Sequence, residues 1–456
     1  MAEKRSTVTP APDEECVDNI GDFAVVPVPE NEQRRFLSNV WVSSGWIICV
    51  STLFTGAAVA TGLTVTQMIG ASIGGMAVIA LYVLLLGSIS GKYHVCASVT
   101  LRQAFGRYGS ALMGTIVALV LGVGWFAWQA SFFGLSINTI AGSYWFGDVQ
   151  VATIWGGLLM MATAVIGYKG LGVLSFLAVP LVMLLTVFGL HASIGEAGSF
   201  GAILEMIGPG EPIGIGVAIS SIAGSVMAGA IAIGDITRYS KNGLQGGLSA
   251  AVGYGLGGTI ALMIGGMIAV VTQVAMVGTT PHVPDAMLAL GLGTGAIAIL
   301  ILAQWTTNDN NLYSGALGLA NYIPFNKRII TTLLGLFGTG IAAVGIFEHF
   351  IGWLGSLGIW LPPIGGVLMC DYWLIHKLIL KKEYEIGAGK PISLLNVAAL
   401  IAFIAGGVVA YKLTWGVAAL NGLFTAFIVY AILAIICEKG NIKYKIGEHI
   451  VGKEGY

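Results

Sequence analysis

The residues best suited to chemistry form a run of six polar side chains, TTNDNN, which begins at Thr306 inside the apolar stretch 287–320. On a helix, Ala303, Thr306, Thr307 and Asn310 follow i, i+3, i+4, i+7 spacing and share one face. Two adjacent hydroxyls, with carbonyls from a neighbouring broken helix, are the hard oxygen ligands that a small alkali cation prefers. The alternative is that the hydroxyls bond to their own helix and the amides hold helices together.

An aromatic ring and an amide share a helical face in the segment GVGWFAWQASFFG. Trp125 and Gln129 are four residues apart, so that a helix places them side by side. The ring offers a stacking surface and the carboxamide offers a donor and an acceptor, which suits a flat, neutral heterocycle with amide-like edges. The alternative for a tryptophan in such a segment is packing against lipid or protein.

Two further apolar segments are rich in small and polar residues. In the first, SNVWVSSGWIICVSTLFTG, Gly45 could allow the helix to break near its middle and free carbonyls around Gly45 and Ile48. Broken helices of this kind hold substrates and ions near the midplane of transporters. A segment of similar character carries Gly224 and Ser225. Because the chain contains 67 glycines, close helix packing is the alternative for any one of them.

The elements that must position these residues are membrane-spanning helices. Of the 456 residues, 56% are hydrophobic and 9% are charged, against roughly 25% charged residues in soluble domains. Apolar stretches of about 20 residues, the length that spans a bilayer as a helix, follow one another along the chain. The twelve predicted spans are 37–62, 67–90, 108–139, 150–168, 171–193, 213–236, 246–276, 287–320, 328–347, 350–374, 392–411 and 414–437.

The distribution of charge predicts how these spans are oriented. With the N-terminus in the cytoplasm, every Lys and Arg except Lys412 falls on the cytoplasmic side. The positive-inside rule therefore predicts a multi-pass protein of the cell membrane with both termini in the cytoplasm. Residues 1–36 are polar and acidic and lack the basic and apolar regions of a signal peptide, so we expect a disordered cytoplasmic tail.

Several other functions lack the residues they would need. The chain has no GxxxxGK[ST] phosphate loop, which argues against ATP-driven pumping. None of its six histidines pairs with cysteines or carboxylates at metal-ligand spacing, and we expect neither an enzyme nor a bound cofactor. The net charge of −1 implies no nucleic-acid partner. The five cysteines lie far apart and are interpreted as reduced and unpaired.

Four segments carry a resemblance to a known family. GVGWFAWQ, GDITRYSKN, QWTTNDNNLYSGALGLAN and GWLGSLGIWLPPIGGVLMCDYW resemble the nucleobase:cation symporter family 1, which contains cytosine, purine, allantoin and hydantoin permeases. The resemblance implies an all-α integral membrane protein of LeuT type, with two inverted five-helix repeats, two extra helices and alternating access. It implies a transporter core at 37–374, a cytoplasmic loop with the last two spans at 375–437, and a cytoplasmic tail at 438–456.

The same resemblance implies a sodium site. Its ligands would be the backbone carbonyls of Gly45, Ile48 and Ala303 together with the hydroxyls of Thr306 and Thr307. Since both threonines are present, sodium is the expected coupling ion. In a proton-coupled member, a carboxylic acid such as Asp309, within the patch, could carry the proton.

The resemblance also implies a substrate site. The substrate would stack on Trp125 and form hydrogen bonds with Gln129 and Asn308, against a sixth helix that breaks near Gly224 and Ser225.

The chain departs from the family pattern at two places. Bacterial cytosine permeases have a glutamine where this chain has Gly122, and the aromatic residue that closes the sandwich from the sixth span is replaced by Val226. One-sided stacking would lower the affinity by about 1 kcal/mol, unless Trp128 or a phenylalanine takes its place.

The sequence therefore predicts a monomeric symporter that uses a sodium gradient to import a nucleobase or related heterocycle of the cytosine, purine, hydantoin or allantoin class. A proton-coupled permease for the same substrates is the alternative within transport. A passive channel or a non-transporting sensor would use the same polar patch, although a sensor usually carries a soluble domain larger than either predicted tail.

Overall fold

The computed structural model describes residues 27–166, 168–277, 280–320, 326–387 and 390–450. Most of the predicted tail, as far as residue 26, lies outside the described residues. The long helices are α1 Phe36–Ile47, α2 Val50–Ala60, α3 Val65–Tyr93, α4 Ala97–Ala141, α5 Val149–Ile166, α6 Tyr168–Ala197, α7 Ile215–Ile231, α8 Gly243–Val271, α9 Gly293–Ala320, α10 Lys327–Ala343, α11 Phe350–Leu380, α12 Val397–Lys412 and α13 Ala418–Lys439.

Short elements connect them. The short helices are Glu30–Glu32, Trp145–Gly147, Phe200–Leu204, Gly234–Thr237, Val283–Ala289 and Ile346–His349. Two antiparallel strand pairs are formed by β1 Met276–Val277 with β2 Thr280–Pro281, and by β3 Pro391–Asn396 with β4 Lys445–Ile450.

The long helices correspond to the predicted spans. Within the described residues, seven helices are long and apolar enough to cross a membrane, and α1 with α2 makes an eighth as a bent pair. The shorter apolar helices α7, α10 and α12 bring the number to eleven, and α9, which carries the polar patch, completes the twelve. The structure thus has one helix or bent pair for each predicted span.

The first span is broken, as predicted, but not at the glycine. Ile48 and Cys49 leave the helical conformation with ψ of 79° and 168°, and α1 and α2 meet at 55°. Gly45 lies inside α1, and a Cβ added there would meet nothing within 4 Å. The break lies against α8, where a Cβ on Gly257 would lie 3.2 Å from the side chains of Ile47 and Ile48. A glycine on the neighbouring helix therefore makes room for the break.

The predicted break near Gly224 and Ser225 is wrong. Helix α7 continues through both residues and ends at Ile231. Gly224 instead lies against α11, where an added Cβ would lie 2.3 Å from the carbonyl oxygen of Leu354. Ser225 Oγ donates to Ile222 O at 2.7 Å, within its own helix. Small residues here serve close helix packing, which is their usual role in membrane bundles.

Helix α8 forms the centre of the core. A Cβ on Gly265 would lie 1.9 Å from Leu53 O, and a Cβ on Gly56 would lie 2.0 Å from Leu262 O. The backbones of α2 and α8 thus touch directly at two glycines, which holds the second half of the broken span firmly in place.

The ends of several helices meet at the strand pair β3 and β4. Inside α4, Gly106 adopts φ of +75°, and a Cβ there would lie 2.9 Å from the backbone of Leu395 in β3. Asn396 Nδ2 donates to Ala104 O at 2.6 Å. Because β4 follows α13 and β3 follows α11, this contact links the ends of three spans.

Candidate functional site

A pocket lies at the break of the first span, and the space within it, including its opening to solvent, is about 440 Å³. Helices α1, α2, α4, α7, α8 and α9 all contribute to its wall. The lining residues are Trp46, Ile47, Cys49, Ser51, Thr52, Leu121, Trp125, Ser225, Val226, Gly229, Tyr254, Thr307 and Asn311. The bundle therefore brings the first, third, sixth, seventh and eighth predicted spans together around one cavity.

Three of the predicted site residues line this pocket: Trp125, Ser225 and Thr307. Trp125 is 5% exposed and packs edge to face against Trp353, with ring centroids 4.7 Å apart. An indole held in this way is a rigid wall on which a flat ring can stack. Trp125 lies at the junction of a π-helical turn, Val120–Trp125, with the rest of α4. Such turns re-aim a side chain within a helix and are frequent at functional sites.

Both threonines of the polar patch donate to their own helix. Thr306 Oγ1 and Thr307 Oγ1 each lie 2.9 Å from Ala303 O. This is the bond that the alternative interpretation expected, yet it does not exclude an ion. A hydroxyl that donates its proton to a carbonyl keeps its lone pairs, and the back-bond turns those lone pairs away from Ala303. Thr307 lies on the pocket wall, whereas Thr306 and Ala303 are buried beside it.

The remaining predicted sodium ligands lie near the pocket but do not line it. Ile48 is at the break, between the lining residues Ile47 and Cys49. Gly45 lies in α1, one residue before the lining residue Trp46. The structure thus brings the break of the first span and Thr307 to one cavity, with Gly45 and Ile48 next to residues of its wall.

Asn308 points away from the pocket. Its side chain is fully buried, and Nδ2 lies 3.2 Å from Phe126 O and 3.0 Å from Met160 Sδ. Its Oδ1 atom has no hydrogen-bond partner within the described residues. Asn311, one turn further along α9, lines the pocket instead. The resemblance assigned this role to Asn308, whereas Asn311 is the amide of α9 that lines the pocket.

Gln129 is also absent from the pocket wall. It is fully buried, and neither its amide nitrogen nor its amide oxygen has a hydrogen-bond partner in the described part of the chain. Gly224, as described above, lies against the backbone of α11 rather than at the cavity.

Asp309 forms a separate buried group on the side of α9 that faces α5. It is 1% exposed, and its Oδ1 accepts a hydrogen bond from Thr163 Oγ1 at 2.9 Å. Trp305 Nε1 donates to the same hydroxyl at 2.9 Å. The second carboxyl oxygen has no hydrogen-bond partner among the described residues. Among those residues, no cluster of three or more His, Cys, Asp and Glu could hold a metal ion.

Aromatic residues close the pocket in a way that the sequence did not indicate. Val226 lines the wall as predicted, but Trp128 does not replace the missing aromatic ring: it is fully buried and stacked against Phe132 at 5.6 Å and Phe350 at 4.6 Å. The pocket's other rings are those of Trp46 and Tyr254, which meet edge to face at 6.3 Å. The sequence pattern around Gly45 drew attention to the neighbouring Trp46, whereas no pattern in the sequence indicated Tyr254.

Comparison with known proteins identifies a consistent set of relatives. The family model described as permease for cytosine/purines, uracil, thiamine and allantoin matches residues 27–436. The cytosine permease of Escherichia coli strain K12 is 29% identical over 421 residues, which cover 92% of this chain and 95% of the relative. The allantoin permease of Bacillus subtilis strain 168 is 24% identical and covers the same shares.

The fold is that of a solved transporter. The inward-facing conformation of Mhp1 is similar with a TM-score of 0.76, 18% identity, and coverage of 96% of both chains. A closed conformation of the same nucleobase-cation-symport-1 transporter, with bromovinylhydantoin bound, gives a TM-score of 0.70 at 20% identity and covers 91% of this chain and 96% of the other. These likenesses confirm the predicted LeuT-type fold.

Proposed function

Because the chain belongs to the family of permeases for cytosine/purines, uracil, thiamine and allantoin and is a multi-span membrane transporter, we propose that it is a symporter that imports a nucleobase or related flat heterocycle on a sodium gradient. The observation that carries this proposal is the pocket that joins the broken first span to Trp125 and Thr307. It combines a stacking surface with oxygen ligands, as a site for one ring and one cation requires.

The proposed mechanism couples the ion to the substrate through α9. Sodium binds between the Ile48 region and the hydroxyls of Thr306 and Thr307 and fixes the position of the first span against α9. The substrate then stacks on Trp125, and the loaded protein alternates between outward and inward access. Since each ligand organises the site of the other, sodium and substrate raise each other's affinity by the same factor.

The same proposal includes the setting of the protein. It acts as a monomer in the cell membrane with both termini in the cytoplasm, as the positions of its basic residues favour.

The decisive experiment is uptake into proteoliposomes. Labelled cytosine, uracil, adenine, hypoxanthine, allantoin and benzylhydantoin are each offered with an inward sodium gradient, an inward proton gradient, or neither. We expect concentrative uptake of at least one compound under sodium alone. Uptake that never exceeds the substrate gradient would indicate a channel, and no uptake of any compound would contradict the proposed substrate class.

Proton coupling is the second candidate, and Asp309 favours it. A buried carboxyl with one oxygen lacking a partner in the described structure is the group that would take up a proton. In Asp309→Asn, we expect sodium-driven uptake to persist, because an amide oxygen can still accept the hydrogen bond from Thr163. Loss of all uptake in a folded Asp309→Asn protein that still binds substrate would instead assign the coupling ion as a proton.

A further inference from the structure

Two fully buried glutamines lie close to the pocket without assigned partners. Gln129 on α4 and Gln304 on α9 are each 0% exposed. In both, the amide nitrogen and the amide oxygen make no hydrogen bond within the described residues. Leaving buried polar groups unpaired destabilises a protein, so side chains of this kind are expected to have a ligand in another state of the molecule.

The register between the two helices places the glutamines opposite each other. Gly122 of α4 lies against Gly315 of α9, where a Cβ on either glycine would come within 3.4 Å of the other backbone. Further along, Asn308 of α9 donates to the carbonyl of Phe126 in α4 at 3.2 Å. From the first contact to the second, the residue number rises on α4 and falls on α9, so the two helices are antiparallel. One more turn in the same direction brings Gln129 and Gln304 to facing positions.

The pocket is lined by the neighbouring faces of the two helices, at Leu121 and Trp125 of α4 and at Thr307 and Asn311 of α9. Gln129 is four residues after Trp125, and Gln304 is three residues before Thr307, so each lies one turn beyond a lining residue on the same face. Because the two helices are antiparallel, the step from Trp125 to Gln129 and the step from Thr307 to Gln304 lead towards the same end of the cavity. A ring stacked on Trp125 would therefore present one of its edges to the two amides.

We propose that Gln304 is a specificity-determining residue that, together with Gln129, binds the adjacent N–H and C=O groups on one edge of the substrate ring. This inference rests on the proposed function. Each carboxamide has two N–H donors and one acceptor oxygen, and two of them match a ring in which a donor lies beside an acceptor. The favoured substrate class is thus a cyclic amide or ureide, such as a pyrimidinedione, an oxopurine or a hydantoin.

The test compares matched ligands on matched variants. Binding of uracil, hypoxanthine and benzylhydantoin, and of their ring N-methyl derivatives, is measured with purified full-length protein in saturating sodium. The variants are Gln304→Met, which keeps the length but removes the hydrogen bonds, and Gln304→Asn, which keeps the amide but shortens its reach. Gln150→Met, at an exposed position in the first turn of α5, is the control.

We expect the parent protein to bind the preferred compound at least roughly tenfold more tightly than its N-methyl derivative, because a polar site rejects a ligand that leaves it unpaired. In Gln304→Met the preferred compound loses roughly tenfold in affinity and the discrimination largely disappears. We expect Gln304→Asn to lose affinity and discrimination in the same direction. If Gln304→Met does not fold, the result for Gln304→Asn decides whether Gln304 contacts the substrate.

Two results would overturn the inference, and they differ. If the Gln304 variants fold and keep both affinity and discrimination within about twofold, Gln304 does not contact the substrate, although the proposed function stands. If the parent protein binds no compound of the panel, the proposed function fails and the role of Gln304 fails with it.

Discussion

Thr307 is the residue at which ion and substrate are expected to meet, since it lines the pocket and its hydroxyl donates to Ala303 O at 2.9 Å. Thr307→Val keeps the shape of the side chain and removes the oxygen. We predict that the sodium concentration for half-maximal uptake rises by roughly tenfold or more, because a lost ligand to a cation costs on the order of 1.5–3 kcal/mol. The measurement is uptake against sodium concentration at fixed substrate.

A matched control separates ligand loss from helix effects. Thr186 is buried in α6 and donates to Val182 O at 2.6 Å, the same type of back-bond. Thr186→Val should therefore leave the sodium dependence unchanged. Equal shifts in Thr186→Val and Thr307→Val would mean that the back-bond, not an ion, explains the effect.

For individual residues, the sequence predicted the types of side chain near the pocket better than the directions in which those side chains point. Trp125 and Thr307, which helical spacing singled out, lie on faces that meet at the cavity. It could not show that Asn308 would turn towards Phe126 O while Asn311 took the place at the pocket. Adjacent positions on a helix differ by about 100°, so a face is defined only when the neighbouring helices are known.

Helix α7 depends on close contact with α11, and Gly224 is where the two backbones meet. A Cβ at this position would lie 2.3 Å from Leu354 O and 2.5 Å from Gly358 N. We predict that Gly224→Ala lowers the free energy of unfolding by about 1–3 kcal/mol, because the overlap is with backbone that cannot rotate away. Thermal unfolding in detergent measures this change.

The control for this contact lies on α11 itself. A Cβ on Gly352 would meet no atom within 4 Å, so Gly352→Ala should be close to neutral. If Gly224→Ala keeps its Tm but loses substrate binding, the glycine belongs to the substrate site after all, as the sequence first suggested.

Element boundaries were predictable where polarity or charge marks them, and less so where packing decides. The twelve apolar segments each became a helix or a bent pair. The break of the first span, however, fell at Ile48 and Cys49 rather than at Gly45, and α7 did not break at Gly224. In both cases the outcome depends on glycines that meet a neighbouring helix, which no local pattern contains.

For the whole molecule, the least predictable feature is the connection among α11, α13 and β4. Asp371 of α11 is fully buried, accepts hydrogen bonds from Tyr384 at 2.6 Å and Tyr430 at 2.5 Å, and lies 3.5 Å from Lys445 Nζ. These partners come from the loop after α11, from α13 and from β4. No local sequence pattern indicates this group, because the partners of Asp371 come from other parts of the chain.

This connection predicts that the end of the chain stabilises the bundle. Deleting residues 445–456 removes β4 from β3 and Lys445 from the buried carboxylate of Asp371. We expect Tm to fall by several degrees, since breaking a buried ion pair is destabilising, and we expect Lys445→Met in the full chain to reproduce part of the fall. Deleting residues 451–456 alone leaves β4 in place and is the control. If the 445–456 deletion melts at the same temperature as this control, the strand pair contributes no stability, and Asp371 is satisfied by Tyr384, Tyr430 and His376 without Lys445.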